Sequence, residues 1–179
     1  MKPWKLLLVT SLIALPLAAW FLARGQQLHP YHWQRFESPD GKFTVDFPGT
    51  PVSRDEPITS GTGVAYISHS LAARASGHAA YGFLWWDDST LGQRSPDAIL
   101  DIARDRGILG VGGSLISEKK TIVRGYPARE IQASARGNAT FDNRILLVGA
   151  RLYSLIVIDT AGMRDRNNVE KFFDSFTPH

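Results

Sequence analysis

One hairpin near the end of the chain constrains the fold more than any other segment. Residues 145–158 form two short apolar runs, ILLV and RLYSLIVI, on either side of Gly149 and Ala150. This pattern predicts a two-residue hairpin with glycine at the first central position. Because both strands are apolar on both faces, an antiparallel sheet built around them must be covered on both sides.

Further strands are predicted before this hairpin. Alternation of apolar and polar residues predicts a four-strand meander over residues 114–123, 128–136, 139–148 and 151–158. Upstream, alternation predicts a strand with Phe43, Val45 and Phe47 on one face, and two further strands at residues 62–71 and 79–86, joined by a loop of small residues.

Two helices are available as covers. Residues 95–97, Ser-Pro-Asp, are typical of a helix start, and four apolar residues predict a second helix capped by Asn167 or Asn168: Val169, Phe172, Phe173 and Phe176. The sequence therefore predicts an α+β fold, namely a three-layer α/β/α sandwich on an antiparallel sheet, preceded by one N-terminal transmembrane or signal helix.

The N-terminal segment differs from the rest of the chain. Residues 6–23 contain no charge and would span about 27 Å as a helix, close to the thickness of a bilayer core. Lys2 and Lys5 precede the run, and Trp4 and Trp20 bracket it, as in membrane anchors. We expect an uncleaved single-pass anchor at 1–23, a tether at 24–32 and a globular domain at 33–179. Pro16 leaves a cleaved signal as the alternative.

Composition excludes several classes of protein. The chain has no Cys, which excludes disulfide scaffolds, thiolate metal sites, Cys nucleophiles and lipoproteins. Residues 24–179 carry 18 basic against 17 acidic side chains with no basic cluster, so we expect no nucleic-acid partner. The anchor predicts a location at the cytoplasmic membrane with the domain outside it, or a periplasmic domain if the signal is cleaved.

The order of several short motifs resembles a known superfamily. FESPDGKFTVDFPGTP at 36–51, GYPARE at 125–130, VGARLYSLIV at 148–157 and FFDSF at 172–176 are similar, in this order, to bacterial extracytoplasmic proteins of the PsbP-like superfamily. The resemblance implies an α/β/α sandwich that acts as a binding module. Named members include an extrinsic subunit of the photosynthetic water-oxidising complex and a nuclear-import factor that binds a small GTPase.

The most conspicuous candidate for a ligand surface is formed by Trp86, Asp87 and Asp88. An aromatic face beside two carboxylates can stack on a sugar ring or an apolar ligand and accept its hydrogen bonds. The structural alternative is a central strand in which Tyr81, Phe83 and Trp85 pack against one helix while Leu84 and Trp86 pack against the other.

Two weaker constellations are also present. His69 and His78 would be cross-strand neighbours able to share a cation if their strands pair symmetrically around residues 72–77, although two ligands make an incomplete site. Asp97, Asp101 and Asp105 follow one helix face at i, i+4 and i+8, which is typical of either a solvated face or part of an acidic site.

No catalytic, phosphate-binding or metal motif is complete in the sequence. Neither H-E-x-x-H, G-x-S-x-G nor G-x-x-x-x-G-K-[ST] occurs, so we expect no cofactor, metal or catalytic residue. The sequence favours a non-catalytic, membrane-tethered binding or assembly module with a protein partner in the envelope. The alternative is an envelope hydrolase or sugar-binding enzyme that uses carboxylates beside Trp85 and Trp86, such as Asp87 and Asp88.

Overall fold

A computed structural model describes residues 31–38, 40, 42–59, 65–75, 78–87, 94–162 and 165–179. The predicted anchor, residues 24–30 of the predicted tether, and Asp88 lie outside the described residues. The described part contains ten strands and two α-helices. They are β1 Gln34–Glu37, β2 Phe43–Phe47, β3 Val52–Thr59, β4 Ala65–Ala75, β5 Ala79–Asp87, α1 Pro96–Gly110, β6 Leu115–Val123, β7 Tyr126–Ser134, β8 Thr140–Val148, β9 Arg151–Asp159, α2 Arg166–Ser175 and β10 Thr177–Pro178.

Seven of these strands form one antiparallel sheet, in the order β3-β4-β5-β9-β8-β7-β6. The predicted meander of the last four long strands is confirmed, because β6 to β9 are neighbours in sequence order. The hairpin at Gly149 is confirmed as well. Val148 pairs with Arg151, and Gly149 has φ +60°, a conformation that favours glycine.

The predicted three-layer α/β/α sandwich is wrong, because the described residues form two antiparallel sheets. Strand β2, which carries Phe43 and Val45, belongs to a separate three-stranded sheet of order β1-β2-β10. Its third strand, Thr177–Pro178, pairs with Thr44 and Phe43. The alternating pattern around Phe43 predicted a strand correctly, but alternation does not specify which sheet a strand joins.

The two faces of the large sheet have different covers. Helix α1 packs Ile99 and Leu100 against Ile145, Leu147 and Leu152. On the opposite face, α2 and the small sheet together enclose a larger cluster, rich in aromatic rings, that includes Phe43, Phe83, Tyr153, Phe172 and Phe176. The C-terminal helix therefore shares its side of the sheet with a second sheet.

Three local features differ from the sequence expectation. Strand β3 was not predicted because its sequence, VSRDEPIT, is polar and contains Pro57, as edge strands often are. Strand β4 continues through Ala72 to Ala75, so small residues expected to form a loop are paired with β5. Helix α2 is capped by Asp165, whose carboxylate accepts from the Asn168 backbone N–H, rather than by Asn167 or Asn168.

Tyr31 is the first described residue and already packs against the core. Its ring stacks on Trp33 at 6.2 Å and meets Tyr81 edge-on at 6.3 Å between ring centroids. The His32 backbone N–H donates to the Pro48 carbonyl. No helix within the described ranges is both long and apolar enough to cross a membrane.

Truncation of Phe43 should weaken the contact between the two sheets. The Phe43 ring lies 4.5 Å from Phe83 and 5.0 Å from Trp85 between centroids, and its side chain is fully buried. We expect Phe43→Ala to lower the free energy of unfolding by about 3–5 kcal/mol, measured by urea denaturation. The control is Phe36→Ala at the partly buried rim; equal losses for the two variants would contradict the central role of Phe43.

Candidate functional site

The structure separates the side chains that the sequence grouped as a ligand surface. Trp86 is partly buried against the cluster beneath α1, and its ring stacks on Tyr66 at 6.5 Å. Asp87 follows it on the strand and lies on the opposite face, because successive side chains in a strand alternate. Trp86 and Asp87 therefore do not line one common surface, and Asp88 lies outside the described residues.

Asp87 is held by a buried arginine. Arg151 Nε and Nη2 each donate to the Asp87 carboxylate at 2.7 Å, and Arg151 is 8% exposed. These hydrogen bonds from Arg151 are the main cause that lowers the pKa of Asp87. Arg151 Nη1 also lies 3.4 Å from the Asp40 carboxylate, in the turn before β2.

This geometry determines what Asp87 can do chemically. A carboxylate with a lowered pKa stays ionised at neutral pH, so it has no proton to donate to a leaving group. Its two oxygens are occupied by one guanidinium in a bidentate pair. Asp87 therefore joins the end of β5 to the start of β9, which are paired at this point.

The predicted core role of the neighbouring aromatic residues is confirmed. Tyr81, Phe83 and Trp85 all belong to the cluster beneath α2 and the small sheet. Tyr81 meets Phe172 of α2 edge-on at 5.3 Å between ring centroids. Burial is the main cause that raises the pKa of Tyr81, because the charged phenolate is disfavoured away from water.

The two histidines are not cross-strand neighbours. Because β4 extends to Ala75 and pairs there with Ala79, His69 lies opposite Trp85 instead of His78. The Nδ1 atom of His69 is 2.8 Å from the Asp55 carboxylate, and that of His78 is 3.2 Å from Asp159. In the part of the chain that the structure describes, no group of three His, Asp or Glu side chains could hold a metal ion.

The aspartates of α1 face a second buried arginine. Arg129 on β7 is 2% exposed, and its Nη2 atom lies 2.5 Å from Asp97 and 3.3 Å from Asp101. Asp97 is itself exposed, and its hydrogen bond from Arg129 is the first cause that lowers its pKa, followed by Lys120. This helix face therefore pairs with the sheet through Asp97 and Asp101, in addition to contacting water.

Further charges extend this network to the edge strand. Arg129 Nε lies 2.9 Å from the Glu118 carboxylate, but the two atoms lack hydrogen-bond geometry, so this contact is Coulombic. Arg104 of α1 also donates to Glu118 at 2.7 Å and to Asp105 at 2.8 Å. The network thus connects α1 with both β6 and β7.

A third buried arginine connects the sheet with the other helix. Arg144 on β8 is 9% exposed and donates from Nε and Nη2 to Glu130 at 3.1 and 2.8 Å. It also donates to Asp174 of α2 at 2.8 Å. Its guanidinium carbon lies 5.0 Å from the centroid of the Phe173 ring, at cation–π distance.

The three arginines share one structural role that the sequence analysis missed. Arg129 joins α1 to the sheet, Arg144 joins α2 to the sheet, and Arg151 joins β9 to β5 and to the turn that leads into the small sheet. The sequence signal that could have predicted this role is an arginine at an inward-facing position of an apolar strand, because a buried charge needs a partner. We call these residues the three buried arginines.

A small cavity lies at the opposite end of the central strands. Its volume is about 10 Å³, room for about one water molecule, and the Thr140 hydroxyl oxygen is buried without a hydrogen-bond partner among the described residues. Its polar lining consists of Tyr31, Tyr81, Thr140, Asp142, Asp159 and Asp165. A cavity of this size cannot hold a sugar ring.

Comparison with known proteins shows the fold. No protein-family model and no curated protein matches the chain. The solution structure of cyanobacterial PsbP from Synechocystis superposes with a TM-score of 0.56 at 10% sequence identity, covering 88% of this chain and 99% of that one. A Pseudomonas aeruginosa protein of unknown function superposes with a TM-score of 0.49 at 10% identity, covering 83% and 98%. The superposition on cyanobacterial PsbP shows that the chain has a PsbP-like fold.

Replacing Asp87 should reveal a pH-dependent contribution to stability. The folded pKa of Asp87 is lowered from an unfolded value near 3.9, so its contribution is present above about pH 4 and is lost as pH falls through the folded pKa. We expect Asp87→Asn to cost about 1 kcal/mol at pH 7, and the difference from wild type to shrink below pH 4 in urea denaturation.

The control is Asp46→Asn, since its partner Arg35 has a side chain that is 69% exposed and exposed pairs contribute little. A cost for Asp87→Asn that is unchanged at acid pH would contradict an origin in the ionised pair.

Replacing Arg129 and Lys120 in turn compares how much a buried and an exposed partner of the Asp97 carboxylate contribute to stability. Asp97 pairs with buried Arg129 and also with Lys120, whose side chain is 62% exposed. We expect Arg129→Met to lower the free energy of unfolding by about 1–3 kcal/mol, because Glu118 loses a partner. Lys120→Met should cost less than about 0.5 kcal/mol. Similar costs in thermal or urea unfolding would show that burial of Arg129 is unimportant.

Proposed function

We propose that this protein is a non-catalytic binding or assembly module, tethered to the outer side of the cytoplasmic membrane, that serves a protein complex of the cell envelope. The observation that carries the proposal is that the candidate acidic side chains are already paired within the fold. Asp87, Asp97 and Asp101, which the sequence offered for chemistry, are engaged by buried arginines that join the layers of the fold.

Two further observations support this function. The PsbP-like fold extends over 99% of the cyanobacterial PsbP chain, so the two proteins share the same framework, although fold alone does not imply function. The uncharged run at residues 6–23 behind Lys2 and Lys5 is the basis for the proposed membrane anchor and for its orientation.

The enzyme alternative receives less support from the geometry. A glycosidase needs two carboxyl groups facing each other across a cleft, one of them protonated. Asp87 has a lowered pKa and is bound on both oxygens by Arg151, while Trp86 lies on the other face of the strand, against the cluster beneath α1.

Cysteine labelling in cells tests the topology. Because the chain has no Cys, Ala150→Cys in the exposed turn between β8 and β9 gives one reactive thiol. We expect a membrane-impermeant maleimide to label Ala150→Cys in spheroplasts with an intact inner membrane. The matched variant Lys2→Cys should be labelled only after permeabilisation. Labelling of Ala150→Cys that also requires permeabilisation would overturn the proposed topology.

Crosslinking in the same cells tests the assembly role. A photoreactive residue at an exposed position of the domain should trap one or a few envelope proteins reproducibly in intact cells. Absence of any specific crosslink from several faces, together with turnover of a substrate by the purified chain, would replace the assembly function with an enzymatic one.

A further inference from the structure

One end of the large sheet combines several features that the proposed assembly role does not use. At this end Ala79 of β5, Asp159 of β9 and Thr140 of β8 are paired side by side, and Ser134 of β7 pairs with Thr140. The Ser134 backbone N–H donates to the Ser114 carbonyl just before β6. We call this row, together with the connection at residues 109–116, the tether end.

The chain enters the domain at the tether end. Tyr31 lines the small cavity together with Ala79, Thr140 and Asp159. The predicted anchor ends at residue 23, and residues 24–30 can extend over at most roughly 25 Å. If the anchor stays attached, the tether end is the part of the domain that this length of chain keeps near the bilayer.

Large apolar side chains are exposed at this end. Leu109 at the end of α1 is 73% exposed, and Leu115 and Ile116 at the start of β6 are 45% and 63% exposed. They flank one short connection, because α1 turns directly into β6: the Gly113 N–H donates to the Ile108 carbonyl. A Cβ atom on Gly113 would lie 1.8 Å from the Ser134 carbonyl oxygen, so this close turn requires glycine.

Two arginines flank these side chains. Arg136 crosses the connection beside Leu109, since a Cβ atom on Gly112 would lie 2.3 Å from Arg136 Nε, and the Gly112 N–H donates to the Leu109 carbonyl. Arg106 precedes Leu109 by one helical turn and is exposed. Within the described residues neither arginine pairs with a carboxylate, unlike the three buried arginines. Asp105, the nearest acid on α1, is paired with Arg104.

We propose that the tether end is a membrane-docking surface for the anionic headgroup region of the bilayer that holds the anchor. Leu109, Leu115 and Ile116 enter the interface, while Arg106 and Arg136 bind lipid phosphates. Exposed apolar residues combined with unpaired basic ones are the composition of interfacial membrane surfaces. This inference rests on the proposed tether, and it adds a fixed orientation of the domain on the membrane.

Single cysteines on one strand provide the test. Ile116 and Ile122 lie on β6 and are similarly exposed, at 63% and 68%, but they are separated by about 20 Å along the strand. The full chain with Ile116→Cys or Ile122→Cys is labelled with a fluorophore and reconstituted into nanodiscs of phosphatidylglycerol and phosphatidylcholine that contain spin-labelled lipid. We expect strong quenching at position 116, weak quenching at position 122, and less quenching at position 116 in high salt.

Charge variants measure the contribution of lipid phosphate. Arg106→Gln and Arg136→Gln, each in the Ile116→Cys chain, should lower the equilibrium constant for docking by about fivefold per arginine. Arg94→Gln, an exposed arginine before the opposite end of α1, is the matched control and should have no effect. Equal effects of all three substitutions would overturn the assignment of Arg106 and Arg136.

The remaining outcomes are distinguishable. Equal, weak quenching at both positions in a chain that stays in the nanodisc overturns docking but agrees with the proposed membrane anchor. If quenching at both positions decreases as the protein concentration rises and does not depend on lipid charge, β6 pairs with a second copy of the chain. This result also overturns docking. If the chain does not remain with the nanodisc, the proposed membrane anchor itself is overturned.

Discussion

The architecture depends on the need to cover both faces of the strand pair β5 and β9. These strands lie inside the large sheet, and their apolar side chains point in both directions. Helix α1 covers one face of the adjoining meander, and α2 with the small sheet covers the other. The packing of both covers follows from this requirement, because an exposed face would leave a large apolar area in water.

The three buried arginines determine how these covers are placed. Apolar packing is not directional, so it brings a helix onto a sheet without specifying its rotation or its position along the strands. A guanidinium has a fixed planar donor geometry. Arg129, Arg144 and Arg151 each pair with particular carboxylates, which offset the free-energy cost of burying their charge. Buried ion pairs often contribute little net stability, so we assign them mainly a role in alignment.

Most of the elements could be predicted from sequence, but not their assembly. Both helices, the meander and the hairpin at Gly149 follow from local periodicity and turn residues, which are visible in one chain. The small sheet was missed because β2 pairs with β1 and with Thr177 and Pro178, partners that are too distant or too short to show a pattern. The grouping of Trp86 with Asp87 failed as a surface because strand alternation places them on opposite faces.

The pairing of β10 with β2 has a consequence for how the chain folds. Thr177 pairs with Thr44 and Pro178 with Phe43, and the central strand β5 pairs with β9, more than sixty residues later. The amino-terminal strands therefore cannot complete their hydrogen bonds until the carboxyl-terminal residues are available. Such a topology closes late and slowly, so β2 and β5 each keep one edge unpaired while the chain emerges from a ribosome or a translocation channel.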